Sequence, residues 1–236
     1  MAKHVLITAF EPFGGEKVNP SEMVARSLEG RLIAGRLIVT RVFAVETRNV
    51  RERLERAIAD TNPDVVVAMG QAGGRNALAL ERIAMNVLDF DQPDNVGVMR
   101  KNEQIVRGGS EARLSNLPFE KIIEAWNDNG VPGYVSNSAG TYVCNQTLYE
   151  LIGLGEQGAP PLITGFVHLP YLPAQAITAG AGSTPSMSLD LMKRAMELLI
   201  ETVVPWVDQR TPDRGAIRKP GAQQMWIPRG VKEVER

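Results

Sequence analysis

The chain has 236 residues, 44% of them apolar and 22% charged, which is enough apolar material for a full core and excludes a disordered class. Its 26 basic and 27 acidic side chains leave a net charge of −1, so no general field recruits nucleic acid or an anionic membrane, and a small or neutral partner fits better. One cysteine excludes an intrachain disulfide, and with two histidines it makes a poor ligand set for structural zinc; neither metal nor cofactor is expected.

The first ten residues, MAKHVLITAF, hold an apolar run too short to span a membrane. EPFGG follows rather than a small-residue cleavage site, as expected of a mature cytoplasmic protein. Residues 5–9, 37–45 and 65–69 are apolar runs of buried-strand length. Between them Asn19-Pro20-Ser21-Glu22 is a helix start with proline at the first helical position, and Thr47 opens a charged helical stretch to Asp60. Residues 78–87 read as another strand and 89–109, rich in Gly, Pro, Asp and Asn, as a long irregular loop.

Further on, 118–129 is helical, 134–137 short and extended, 143–152 helical and 162–167 a buried strand. Ser186 opens a long amphipathic helix through Leu189, Met192, Met196, Leu199 and Val203. From Asp208 the periodicity ends in a Pro, Gly and Arg-rich tail. Alternating strand and helix predicts an α/β fold: one three-layer α/β/α domain over 1–207, a mostly parallel mixed sheet covered by helices on both faces, and an extension over 208–236.

Cys144 lies in SNSAGTYVCNQ, where a short strand leaves through a small-residue turn and a helix begins. The positive end of a helix favours a thiolate and lowers a thiol pKa from its usual ~8.5, and the same N–H groups could hold an oxyanion. The bland alternative is a cysteine packed as a small hydrophobe. His168 ends a predicted buried strand in TGFVHLPY, where α/β sheets place reactive groups, though a histidine there is often only structural. A Cys-His pair needs a third group to orient the imidazole. Glu81 interrupts the apolar run ALALERIAM and is the best candidate, but it could equally be a solvated residue paired with Arg75 or Arg82. GQAGGR at 70–75 lacks the dinucleotide and P-loop patterns and is a better substrate turn than a phosphate cradle. Phe10 and Phe13 sit in a glycine-rich turn after the first strand, able to plug a core edge or line a pocket.

Taken together, ITAFEPFGG at 7–15 with NPS at 19–21, GQAGGR at 70–75 with ERIAMN at 81–86, PDN at 93–95, SNSAGTYVCN at 136–145 and GFVHLPY at 165–171 resemble the pyroglutamyl peptidase I (pyrrolidone-carboxylate peptidase) family of cysteine peptidases, over roughly residues 5–203. The resemblance implies a triad of Cys144, His168 and Glu81, with Phe10, Phe13, Asn19, Gln71, Tyr142 and Val143 around a pyroglutamyl ring. It implies hydrolysis of an N-terminal pyroglutamyl residue from peptides through a thioester. With the Met-rich helix from Ser186, it also implies a homo-oligomer, dimer or tetramer. Where family members often carry Arg and an aliphatic residue before PDN, this chain has Asp91 and Gln92, and Gln146 stands where a histidine commonly follows Cys-Asn. Asp91 would remove a cation from the oxyanion and Gln92 would make one pocket wall more polar. Two other readings stay open: a divergent binder of pyroglutamyl-like ligands with little turnover, and a phosphorylase-like enzyme on a small metabolite.

Overall fold

The computed structural model describes residues 3–158, 161–178 and 183–210. Seven strands form the main sheet. In chain order these are β1 (His4–Phe10), β2 (Leu32–Ile33), β3 (Arg36–Phe43), β4 (Pro63–Gln71), β5 (Leu78–Glu81), β10 (Gly133–Ser136) and β11 (Ile163–Leu169). Their spatial order is β10-β5-β11-β4-β1-β3-β2. β1 pairs in parallel with β3 and β4, β4 with β11, and β5 with β10, while β5 meets β11 antiparallel and β2 meets β3 antiparallel. The central strands β4 and β11 are buried almost throughout, which is why their sequence is a run of apolar residues rather than an alternation.

Helices cover both faces, as expected. α1 (Pro20–Leu28), α3 (Phe119–Asp128) and α6 (Leu189–Gln209) pack on one face with Leu78, Leu80 and Val167. α2 (Val50–Thr61) and α4 (Val143–Gln157) pack on the other with Leu6, Val66 and Phe166. Asn19 caps α1 by accepting from Ser21 N at 3.0 Å, with Pro20 at the first turn. Trp126 of α3 lies over Gly133, where a Cβ would come within 2.2 Å of the indole, and donates to Ala195 O of α6 at 2.8 Å.

Several boundaries differ from the sequence reading. α2 starts at Val50, because Asn49 is left-handed at φ 56° and Thr47 instead donates from N and Oγ1 to Asp94, both at 3.0 Å. α6 is capped by Ser188, two residues later than expected, and runs to Gln209. Its Met192 and Met196 are fully buried in the core and so supply no interface.

The single strand expected over 78–87 is broken at Arg82. There N donates to Ser136 O and the carbonyl accepts from Ser115 N, so the chain leaves the main sheet. It continues as β6 (Ile83–Met85), paired with β9 (Ala112–Leu114), and then as β7 (Leu88–Phe90). The loop expected over 89–109 is partly a hairpin, since β8 (Arg100–Glu103) returns against β7. Its turn residues are real but local: Asp94 accepts from Val96 N and Val98 N, and Gly97 has φ 79°. The short helix α5 (Pro173–Thr178) was also not anticipated. No described helix is long and apolar enough to cross a membrane. Of the extension, residues 211–236 lie outside the described residues.

Candidate active site

Cys144 sits in the first turn of α4, after the small-residue turn that follows β10. Tyr142 at the N-cap offers no side-chain cap, and the first helical bond is Gln146 N to Tyr142 O, so the preceding N–H groups point out of the helix end. The sulfur lies over Gly70 at the end of β4, where any Cβ would stand 2.9 Å from both Sγ and the Phe166 ring. Glycine at 70 is therefore a condition for this placement of the thiol.

Gly70 is in register with His168 of β11, and His168 is in register on its other side with Ala79 of β5. Glu81 is two residues from Ala79 and so faces the same way. Its Oε1 lies 2.8 Å from His168 Nδ1, with Glu81 fully buried and His168 nearly so. A carboxylate there selects the Nδ1–H tautomer and leaves Nε2 as an acceptor. Arg75 Nη1 donates to the same Oε1 at 3.2 Å and to Tyr134 Oη at 3.2 Å. The imidazole and the arginine thus share one carboxylate oxygen, while Arg82 lies elsewhere, 5.4 Å over the Phe119 ring.

The electrostatics correct one expectation. Burial first, and then the nearby Glu81 charge, push the Cys144 thiol up to about 12, outweighing Arg75 and the backbone N–H at the helix start. Solvent still reaches part of Cys144, but close-packed protein replaces most of the hydration its thiolate would need, so the upward direction holds. Burial also lowers the His168 pKa against the opposing effect of Glu81. Both directions favour a neutral thiol beside a neutral imidazole over the thiolate expected from the helix end alone.

These groups open onto a cavity of about 250 Å³. Cys144, His168, Phe10, Phe13, Asn19, Gln71, Tyr142 and Val143 all line it, and Glu81 stands behind His168. Val45, Ala72, Arg75, Ala139 and Gly140 also line it and were not among the expected residues. The walls are apolar with few charges, suited to a flat neutral ring.

Each polar member is held from outside the cavity. Asn19 is buried, accepts from Ser21 Oγ at 2.8 Å and donates to Glu11 O at 3.0 Å, so it ties down the loop of the two phenylalanines. Gln71 Oε1 accepts from Gln175 Nε2 at 2.9 Å. Gln175, on α5, gave no signal in the sequence because α5 itself gave none. Tyr142 packs edge-on to Phe90 at 4.6 Å and donates to Pro93 O at 3.3 Å. Asn145, fully buried, donates to Met85 O and Val87 O and accepts from Met85 N, pinning the start of α4 to β6.

Neither unusual residue before PDN faces the cavity. Asp91 is 85% exposed at its side chain and pairs with Lys101 at 2.6 Å. Gln92 covers Gly14, where a Cβ would meet its Nε2 at 2.5 Å. The polar wall expected from Gln92 is therefore not present among the cavity's lining. Gln146 donates to Thr47 O at 3.0 Å and serves the loop that receives Asp94.

A profile of the family described as Pyroglutamyl peptidase matches residues 3–205. The chain belongs to the pyroglutamyl peptidase family. It is 39% identical over 206 residues to a pyrrolidone-carboxylate peptidase of Pyrococcus furiosus, covering 85% of this chain and 99% of that one. It is 43% identical over 199 residues to one of Chromobacterium violaceum, covering 84% and 91%. The crystal structure of Bacillus amyloliquefaciens pyroglutamyl peptidase I superposes with a TM-score of 0.81 at 36% identity, covering 85% of this chain and 96% of that one. Family membership and the α/β fold therefore agree with the resemblance drawn from the motifs.

Proposed function

We propose that this chain hydrolyses the N-terminal pyroglutamyl residue from peptides, with Cys144 as nucleophile, His168 as general base and acid, and Glu81 as the group that orients the imidazole. The observation that carries the reading is the buried Glu81–His168 bond, whose imidazole lines the same nearly uncharged cavity as a helix-start thiol.

The resting neutral pair sets the order of events. A bound substrate displaces water, and the Cys144 proton passes to His168 Nε2 as Sγ bonds to the carbonyl carbon that follows the lactam ring. The oxyanion faces the N–H groups at the start of α4. The imidazolium, stabilised by Glu81, returns the proton to the departing amine, and the C–N bond breaks to leave a thioester. Water, giving its proton to the same nitrogen, then cleaves the thioester and restores the thiol. Phe10, Phe13, Tyr142 and Val143 supply flat apolar walls, and Gln71 and Asn19 hold amide-bearing edges of the cavity, which suits a cyclic amide without a free amino group.

A phosphorylase-like reading is not favoured. The turn at 70–75 packs Gly73 against the Tyr171 ring, where a Cβ would fall 2.2 Å from the ring, so an aromatic side chain rather than open space covers the backbone a phosphate cradle would need. A reducing, cytoplasmic setting suits a thiol nucleophile, and the family resemblance supports a homo-oligomer, for which sedimentation is the direct measure.

The test is release of a fluorogenic amine from its pyroglutamyl amide by reduced wild type and by Cys144→Ala. Turnover by wild type alone is expected. No turnover by either would favour a binder without chemistry.

A further inference from the structure

The geometry points to a second binding element, for the residue that follows pyroglutamate, built from Arg75 and Tyr134. This inference rests on the peptidase reading above. If His168 protonates the leaving amine, the departing residue lies on the His168 side of the cavity. That side is continuous across the sheet: Gly70 beneath the sulfur, then His168, Ala79 and Tyr134 stand in register on neighbouring strands and share one face. Ala79 offers only a methyl group, so the row forms a shelf leading from the sulfur toward Tyr134 on the edge strand β10.

Arg75 hangs over this shelf. Its guanidinium uses one nitrogen, Nη1, for Glu81 and Tyr134, and no described residue accepts from Nε or Nη2. Its side chain is 28% exposed and lines the cavity. Tyr134 accepts from Arg75, which leaves its own O–H hydrogen uncommitted, and it is 42% exposed. A planar fork with free donors beside a free hydroxyl, on the leaving-group side, matches the carbonyl or carboxylate oxygens of the next residue. The ligand class is thus an α-carboxylate or peptide carbonyl, and short pyroglutamyl peptides with a free carboxylate are the favoured substrates.

The experiment compares kcat/KM for pyroglutamyl-alanine and for pyroglutamyl-ethylamide, which lacks the carboxylate, in wild type and Arg75→Gln. The selectivity for the acid should be about ten-fold higher in wild type than in the variant, as for loss of one charge-assisted hydrogen bond. If Arg75 acts only by holding Glu81, both substrates fall by the same factor, and that result overturns the inference. Should Arg75→Gln not fold, wild type alone decides: its selectivity must decline as salt rises, because the contact is partly exposed, and a salt-independent ratio overturns it equally. Failure of wild type to cleave either compound sinks the peptidase reading and this inference with it. Turnover without selectivity sinks this inference alone.

Discussion

At the scale of single residues, Gly70 shows how a site can depend on what a side chain lacks. Its missing Cβ is the space occupied by the Cys144 sulfur and the Phe166 ring, both of which would be 2.9 Å away. Gly70→Ala is expected to displace the sulfur from His168 and to cost about 1–3 kcal/mol of stability through overpacking. kcat/KM should fall more than stability alone accounts for, and a near-normal rate in the folded variant would contradict this placement. The candidate residues were legible because Cys144, His168 and Glu81 each break an otherwise apolar or glycine-rich pattern. The protonation of the thiol was not. The helix start is visible in SNSAGTYVCN, whereas the burial that overrides it depends on atoms brought in by β4, β5 and β11.

At the scale of elements, the cavity is assembled from loops whose positions are fixed by their neighbours. Gln175 on α5 donates to Gln71 Oε1, Glu16 Oε2 and Val18 O, and accepts from Leu172 N. One buried carboxamide thereby joins α5 to the end of β4 and to the segment before α1. Gln175→Ala leaves several of these partners unsatisfied and should cost about 1–3 kcal/mol. Its signature is a raised KM with kcat less affected, since Gln71 loses its anchor while the thiol and imidazole keep theirs; steady-state kinetics on the pyroglutamyl amide measures both. The sequence hid this arrangement because a helix of six residues carries too little periodicity to register. For the same reason β7, β8 and β9 were missed. Each has only three or four residues, and β8 and β9 are largely exposed, so they carry no buried apolar run. Tertiary pairing rather than intrinsic preference makes them strands.

At the scale of the whole molecule, the three-layer architecture was legible because the central strands must be apolar on both faces. The topology was not: nothing in residues 78–81 announces that β5 runs against β11 and carries β10 with it. The buried site also shapes the stability of the fold. His168 has a folded pKa below its ordinary 6.5, so the neutral form it contributes is fully present above that value and its contribution is lost as pH falls below it. Cys144 has a folded pKa raised from 9.0 to about 12, so its contribution is complete below 9.0 and is lost as pH rises from there toward 12. Denaturant midpoints should therefore hold level between these limits, and Cys144→Ala should flatten the alkaline decline. An unchanged alkaline slope in that variant would show that other groups cause it.

The raised thiol has a further consequence. Peroxides and haloacetamides attack sulfur as the anion, so the burial that raises the Cys144 pKa should also slow them while the site stands empty. The packing that makes ionisation costly should then shield the only cysteine of the chain from chemical damage between turnovers, and the rate of alkylation in native against unfolded protein measures that shielding.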